Sequence, residues 1–165
     1  MKKNLVIFIL GAAAIVALDQ ITKSAITSRF ALHEVDSVIP GFFNLVYVMN
    51  PGAAFGFLAD ASATFRYVFF ISVTVAAAVL IIYYLVKSNP RNLLLAGSLT
   101  LIFGGAAGNL IDRIRFGSVV DFLDVYIGSA HWPAFNLADS AITIGAILMI
   151  WEMIRNRKEK PTGSR

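Results

Sequence analysis

Four long apolar segments constrain the fold of this chain more than any other feature. Each is about as long as the roughly 20-residue helix that crosses a bilayer core about 30 Å thick, and each carries at most one charged residue. Because that core offers no water to satisfy a bare backbone, every crossing must be helical. The segments run from Leu5 to Ile21, Tyr67 to Val86, Leu93 to Ile111 and Trp132 to Trp151.

We therefore predict a mainly α, polytopic membrane protein. Its architecture is a bundle of four transmembrane helices with a small extracytoplasmic β-rich cradle and a short interfacial helix. Residues 1–165 form a single membrane domain, with helices at about 5–23, 67–86, 93–111 and 135–154. The outer segments span about 24–66 and 112–134, and a cytoplasmic tail covers about 155–165.

Composition agrees with a membrane protein. Hydrophobic residues make up 58% of the chain and charged residues 15%, against about 45–50% and about 25% in soluble domains. The absence of cysteine excludes disulfides, a thiol nucleophile and thiolate metal sites. The net charge of +4 does not indicate a nucleic-acid partner, because the basic residues lie at both ends of the chain and between Lys87 and Arg91. The positive-inside rule places these regions in the cytoplasm.

The N-terminus imitates a secretory signal peptide, with Lys2 and Lys3 before an apolar run. We interpret it as an uncleaved first helix, because Asp19 and Lys23 continue the segment and three further spans follow.

The first outer connection contains strand and turn signals. Pro40-Gly41 is a typical turn, and the aromatic and β-branched residues from Phe42 to Met49 favour a strand. A glycine-rich stretch from Asn50 to Leu58 follows, and Ala59 to Arg66 is expected to form the short interfacial helix. Such a platform could cover the mouth of a site near the membrane surface.

Two aspartates at the edges of apolar runs are the candidate catalytic residues. Asp139 begins an otherwise uncharged stretch from Asn136 to Ile150, where a carboxylate costs roughly 2.5–3.5 kcal/mol at the membrane centre and less near the interface. Asp121 is expected in the loop after the third span, at a similar depth. Two neighbouring carboxylates share a proton, so that one can activate water while the other polarises a carbonyl, as in aspartic peptidases.

Structural interpretations of these acids stay open at this point. Asp139 could cap the N-terminus of a helix, where a carboxylate is favourable, while Asp121 pairs with Arg113 or Arg115. Asp124 could also replace Asp121, because the spacing in Asp-Phe-Leu-Asp does not choose between them.

The end of the third span combines small and polar residues. Gly104 and Gly108 form a GxxxG pair, which is typical of close helix packing. Asn109 and Asp112 share a helical face with Gly105 and Gly108, with Arg113 next to them, and predict a polar network with a structural or supporting role.

Other polar residues carry less functional signal. Asp19 and Lys23 are spaced i, i+4, as in ion pairs that stabilise a helix end, and we assign them a structural role. A zinc site normally needs three or four protein ligands, whereas His33 and His131 lie far apart and no HExxH motif occurs. We expect no metal and no cofactor.

Five sequence blocks together resemble the bacterial lipoprotein signal peptidases, also called signal peptidase II. The resemblance spans nearly the whole chain, in the expected order and spacing, and departs from the family only slightly, at Pro51. The blocks are Leu18–Lys23, Asn50–Phe55, Gly104–Arg113, Val119–Phe122 and Phe135–Ser140.

The resemblance implies an aspartic endopeptidase of the inner membrane. Such an enzyme removes signal peptides from prolipoproteins by cutting just before a cysteine that carries diacylglycerol. Asp121 and Asp139 match the catalytic pair, and no cofactor is implied. The residues expected to bind substrate or inhibitor, or to support the site, are Asn50, Gly52, Phe55, Gly108, Asn109, Asp112, Arg113, Val120, Asn136 and Ala138.

The resemblance also implies partners and a location. Diacylglyceryl-prolipoproteins and membrane lipids are the expected partners, the cyclic depsipeptide globomycin the expected inhibitor, and nucleic acid is not expected. We expect a monomer in the bacterial cell membrane, with both termini cytoplasmic and the active site at the periplasmic face.

Two other classes of protein compete with the peptidase interpretation. A small transporter or channel would use intramembrane acids as proton relays, but near mid-bilayer rather than at an interface. A non-enzymatic scaffold would use GxxxG and polar caps for packing alone, and would tolerate Asp121→Asn or Asp139→Asn.

Overall fold

The computed structural model of the protein describes residues 2–52, 58, 60–88 and 92–158. Within these ranges the helices are α1 (Lys2–Arg29), α2 (Ala63–Ser88), α3 (Leu93–Phe116) and α4 (Leu137–Lys158), and the strands are β1 (Val35–Ile39), β2 (Phe43–Asn50), β3 (Val119–Ile127) and β4 (Ala130–His131). Each of these helices is long and apolar enough to span a membrane. The predicted fold class, a four-helix membrane bundle with a small sheet, is confirmed.

The helices extend past the apolar runs that predicted them. The α1 helix continues to Arg29 and α3 to Phe116, because charged residues near these ends satisfy one another inside the bundle. Lys23 on α1 and Asp112 on α3, for example, form a buried ion pair of 2.8 Å. At the other end of the bundle α4 continues to Lys158, into the segment predicted as a tail. Residues 159–165 lie outside the described ranges.

The expected short interfacial helix does not form separately in the described residues. Ala63 to Arg66 are instead the first turn of α2, whereas Ala59 lies outside the described residues. The Ser62 hydroxyl accepts a hydrogen bond from the Phe65 N–H at 3.3 Å, as an N-cap residue does. No helix breaker separates this turn from the apolar run that follows, so the two merge into one helix.

An antiparallel sheet in the order β1-β2-β3-β4 covers one end of the bundle. It contains Asp121, which was expected in a loop but lies on β3, paired with Val48 of β2. The β-branched and aromatic residues of this segment favour a strand. Gly117 makes the sharp change of direction possible, because it ends α3 with a φ of 72° and its N–H bonds the Arg113 carbonyl.

The α3 helix packs against each of the other three helices. A Cβ on Gly104 would lie 2.9 Å from the Ile15 Cβ of α1, and a Cβ on Gly105 would lie 2.4 Å from the Ala138 carbonyl oxygen of α4. These approaches are closer than real Cβ contacts, so α3 can reach its neighbours only with glycine here. The close packing predicted from GxxxG is confirmed.

The interior of the bundle has a small apolar core at one end and a larger polar cluster at the other. Phe8, Ile81 and Leu99 form a small buried core far from the sheet. Near the sheet, a group of buried charged and amide side chains converges below β3, beside buried apolar residues such as Val120 and Phe122. The fold therefore positions a polar site between the ends of the helices and the sheet.

Candidate active site

Asp121 and Asp139 line the same cavity, which has a volume of about 680 Å³. Asp121 reaches it from β3 and Asp139 from the first turn of α4. The structure therefore brings together the two acids that the sequence singled out. The remaining walls come from the end of β2, from α2 and α3, and from the loop before α4.

Asn136 holds both carboxylates. Its side-chain Nδ2 donates to Asp121 Oδ1 at 2.7 Å, and its backbone N–H donates to Asp139 Oδ2 at 3.2 Å. In return its Oδ1 accepts the Asp139 N–H at 2.8 Å. Because Asn136 has no exposed surface, these bonds are shielded from water, and the two acids are fixed relative to each other through one residue.

The environment of Asp121 favours its protonated form. Burial of the carboxyl, reinforced by the negative charge of Asp139, raises the pKa of Asp121 to about 7. Hydrogen bonds from Asn50 and Asn136 partly oppose the rise; the Asn50 Nδ2 lies 2.9 Å from Asp121 Oδ2. A carboxyl with this pKa can donate a proton near neutral pH.

Asp139 lines the cavity and also takes part in capping the N-terminus of α4, so the capping interpretation of this residue is compatible with its place in the cavity. Asn136 and Asp139 exchange side-chain to backbone bonds, which is the reciprocal pattern of a capping box at the start of α4. The positive end of the helix dipole favours a carboxylate there. For Asp121, the hydrogen-bond partners are Asn50 and Asn136 rather than Arg113 or Arg115.

Asp124 lies apart from the cavity. It accepts hydrogen bonds from Asn44 Nδ2 at 2.8 Å and approaches His131 Nδ1 at 2.8 Å. Alternate residues of a strand point to opposite faces, and three positions separate Asp124 from Asp121. The geometry therefore selects Asp121 as the partner of Asp139.

A buried charged cluster lies behind the two acids. Lys23 Nζ is 2.9 Å from Asp19 Oδ2 and 2.8 Å from Asp112 Oδ2, and it donates to Asn109 Oδ1 at 2.8 Å. All four side chains are buried. This cluster joins α1 to α3, and through Asn109 it reaches the site.

Asn109 connects the charged cluster to Asp139. Its Oδ1 accepts from Lys23 and from Asn136 Nδ2, the latter at 3.2 Å. Its Nδ2 is therefore directed at Asp139 Oδ1, 2.8 Å away. The orientation of the Asn109 amide is set by two donors, and Asp139 receives its hydrogen bond as a result.

Three further predicted residues support the charged cluster without using a side chain. The Val120 N–H donates to Asp112 Oδ2 at 3.2 Å, and the Ala138 N–H donates to Asp19 Oδ1 at 3.0 Å. Gly108 leaves room for Asp19, since a Cβ there would lie 2.6 Å from Asp19 Oδ2. These residues hold β3 and α4 against the charged cluster.

Gly52 and Arg113 meet at the rim of the cavity. Arg113 Nη2 donates to the Gly52 carbonyl at 3.3 Å, and both residues line the cavity. Phe55, which was also predicted to support the site, lies outside the described residues. Among the residues that are described, no group of three or more His, Asp and Glu is placed to hold a metal ion.

Sequence reasoning missed several residues near the site. Gln20 Nε2 donates to Asp112 Oδ1 at 2.9 Å and to the Gly108 carbonyl at 3.2 Å, and its place between Asp19 and Lys23 was an available signal. Phe70 and Thr74 of α2 line the cavity, but no pattern separates them from the other residues of their span.

The family model of signal peptidase (SPase) II matches residues 11–155. Among curated proteins, the lipoprotein signal peptidase of Syntrophus aciditrophicus is 55% identical over 97% of this chain and 99% of its own. That of Desulforapulum autotrophicum is 48% identical over 94% and 96%. A solved structure described as a bacterial membrane enzyme is 36% identical, with a TM-score of 0.84 over 96% of this chain and 93% of its own. The chain belongs to the signal peptidase II family.

Proposed function

We propose that Asp121 and Asp139 are the catalytic pair with which this signal peptidase II removes signal peptides from prolipoproteins. The bond cut is the one just before the cysteine that carries diacylglycerol. The observation that carries the proposal is the convergence of the two carboxyls on Asn136 within one cavity. Members of this family are peptidases, and an aspartic pair accounts for peptide hydrolysis in a chain without cysteine.

The environments of the two acids suggest their roles. Asp139, at the positive end of α4 and hydrogen-bonded by Asn109 and Asn136, is the base that takes a proton from water. The water oxygen attacks the scissile carbonyl carbon. Asp121, whose pKa is raised to about 7, donates its proton to the carbonyl oxygen as the tetrahedral intermediate forms.

Collapse of the intermediate completes the reaction. The proton that Asp139 took from water passes to the amide nitrogen, the C–N bond breaks, and the carbonyl re-forms as its proton returns to Asp121. The products are the carboxyl terminus of the signal peptide and the amino group of the lipidated cysteine. Both acids thus recover their starting protonation states.

The walls of the cavity suit a lipid-linked substrate. Toward the helices it is lined mostly by apolar side chains, including Phe70, Ala106, Ile142 and Ile144. Acyl chains can lie along these walls while the peptide bond reaches the two acids at the polar end. The neighbouring residues Asn50, Gly52, Asn109, Arg113 and Asn136 then contact the substrate or hold the acids in place, with Phe55, Gly108, Asp112, Val120 and Ala138 as further support.

We infer the orientation in the membrane from charge. Basic residues at both ends of the chain and between Lys87 and Arg91 favour the cytoplasm for these regions. The sheet and the cavity are then at the outer face of the cell membrane, where the lipidated cysteine of a prolipoprotein is exposed. We expect inhibition by globomycin and activity as a monomer.

The test is cleavage of a purified diacylglyceryl-prolipoprotein in detergent with a metal chelator present. Asp121→Asn and Asp139→Asn should each reduce the rate by about 10²–10⁴-fold, the usual contribution of a general acid or base. Asp124→Asn is the matched control, because it removes a buried carboxylate from the same strand but outside the cavity, and it should retain activity. Full activity of either Asp121→Asn or Asp139→Asn would refute the assignment.

A further inference from the structure

A cation–π contact links α2 to the rim of the cavity. The guanidinium carbon of Arg113 lies 4.7 Å from the centroid of the Phe70 ring, within the roughly 6 Å over which such contacts are attractive. Both side chains are half-buried and both line the cavity. The α2 helix thus contacts the site through a residue that no motif identifies.

From Arg113 a chain of hydrogen bonds leads to Asp121. Arg113 donates to the Gly52 carbonyl at 3.3 Å, and the Gly52 N–H donates to Asn50 Oδ1 at 3.0 Å. The Asn50 amide in turn donates to Asp121 Oδ2 at 2.9 Å. The position of the guanidinium is therefore coupled to the hydrogen bonding of a candidate catalytic acid.

The guanidinium also lies in the field of the site's carboxylates. Asp139 and Asp121 both act on it electrostatically. Arginine forms bidentate pairs with carboxylates readily. A direct pair with Asp121 or Asp139 would occupy the oxygens that the proposed mechanism needs for water and for the scissile carbonyl. A productive site must therefore hold Arg113 at the rim.

The Phe70 ring is placed to do this. It offers the guanidinium an attractive surface that belongs to α2 and carries no charge of its own. The Phe69 ring packs edge-on against it, with centroids 5.4 Å apart and an interplanar angle of 79°, and this contact restricts the orientations that the Phe70 ring can take.

We propose that Phe70 is a positioning residue of the peptidase reaction, whose ring keeps the Arg113 guanidinium on the Gly52 carbonyl and off the carboxylates of Asp121 and Asp139. This inference rests on the proposed function, because it assigns Phe70 a role in that same reaction. It predicts that the electrostatics of the ring, and not only its volume, control the rate.

Fluorinated phenylalanines provide the test, since they weaken the negative face of the ring with little change of shape. With one, two and three fluorines at position 70 of the full chain, kcat/KM for the lipidated substrate should fall stepwise, by about 2-fold to 30-fold in all. Phe70→Tyr should keep most of the activity, whereas Phe70→Leu should lose at least as much as the trifluorinated ring. The same fluorinated series at Phe65 is the control, because that ring is stacked on Phe69 at 5.8 Å and is 51% exposed.

If kcat/KM stays the same across the fluorinated series at position 70, in an enzyme that is otherwise active, the inference is overturned. Equal falls of kcat/KM at positions 65 and 70 would overturn it as well. Failure of the proposed function has a different signature, namely an Asp121→Asn variant that cleaves like the wild type.

Discussion

At the residue scale, the site depends on amides that orient acids. Asn136 binds both carboxyls, Asn50 binds Asp121, and Asn109 binds Asp139. Amides donate without carrying charge, so they fix each carboxyl without neutralising it as an arginine or lysine would. The cation Lys23 lies one residue further back and acts on Asp139 through Asn109. This separation leaves both carboxyls available for proton transfer.

The raised pKa of Asp121 has a consequence for stability. The folded protein holds this proton up to a pH of about 7, while the carboxyl of the unfolded chain loses it near its ordinary pKa of 3.8. The folded state therefore binds more protons between these values, and its stability falls as the pH rises through that window. Asp121→Asn should remove this contribution to the change of stability with pH. Thermal unfolding in detergent between pH 4 and pH 8 measures that change. The same pH dependence of stability in variant and wild type would contradict the assigned pKa.

The orientation of Asn109 gives a second prediction. Asn109→Asp keeps an oxygen facing Lys23 and Asn136 but replaces the donor to Asp139 by a second oxygen. We expect kcat/KM to fall by about 10²–10³-fold, the usual cost of losing one well-placed donor in an active site.

The control for this prediction is Asn44→Asp. It makes the same change opposite another buried acid, Asp124, but away from the cavity. It should keep its activity per folded molecule, as judged by cleavage and thermal unfolding on the same samples. Equal losses of activity in both variants would show that buried charge in general, and not the bond to Asp139, explains the effect.

At the element scale, glycine sets how closely α3 approaches its neighbours. Gly105 faces the Ala138 carbonyl, and the backbone of α4 cannot move away without displacing Asp139 beside it. By contrast, Gly97 on the same helix has nothing within 4 Å of an added Cβ. Substitutions at these two glycines can therefore distinguish the effect of helix packing from the effect of helix propensity.

We predict opposite effects for the two substitutions. Gly105→Ala should destabilise the protein by about 1–3 kcal/mol, as overpacking does, and should lower activity because it pushes α4 from the site. Gly97→Ala should be neutral or stabilising by up to about 1 kcal/mol. Thermal unfolding in detergent compares them directly. An equal response of both variants would rule out the close contact at Gly105.

The elements also show how far sequence reasoning reaches. Apolar runs predicted all the helices within the described ranges, because burial in lipid requires them. Their ends were misjudged where polar residues such as Lys23 and Asp112 satisfy one another inside the bundle, which a hydropathy pattern cannot reveal. The strand β3 was missed since its pairing with β2 is a long-range contact. The predicted interfacial helix merged with α2 because no breaker separates them.

For the site, the sequence singled out the two acids but not their arrangement. Asp139 stood out as a charge in an apolar run, and the family motifs selected Asp121 over Asp124. The central position of Asn136 became evident only from its bonds to both acids. Likewise, burial of Glu152 on α4, where it bonds Asn92 and Arg155 far from the site, had no sequence signal.

At the scale of the whole molecule, polarity is divided between the two ends of the bundle. The apolar core around Phe8 and Leu99 lies at the end where we place the cytoplasm. Most of the buried acids and amides, together with Lys23, lie at the other end, beneath the sheet or on it, whereas Glu152 is buried away from them. This arrangement suits the proposed function, in which water reaches the two acids at the membrane surface while the lipid-linked substrate stays in the bilayer.

The proposed orientation is testable because the chain contains no cysteine. Ile127→Cys introduces a thiol on the sheet, at a position that is 77% exposed, and Lys160→Cys introduces one near the C-terminus. With the outer membrane permeabilised, a membrane-impermeant maleimide should label Ile127→Cys in intact inner membranes and should label Lys160→Cys only after lysis. Both variants are expected to remain active, because Ile127 does not line the cavity and Lys160 is not among the residues predicted for the site. Labelling in the reverse order would place the two acids on the cytoplasmic side, where the proposed substrate does not present its cleavage point.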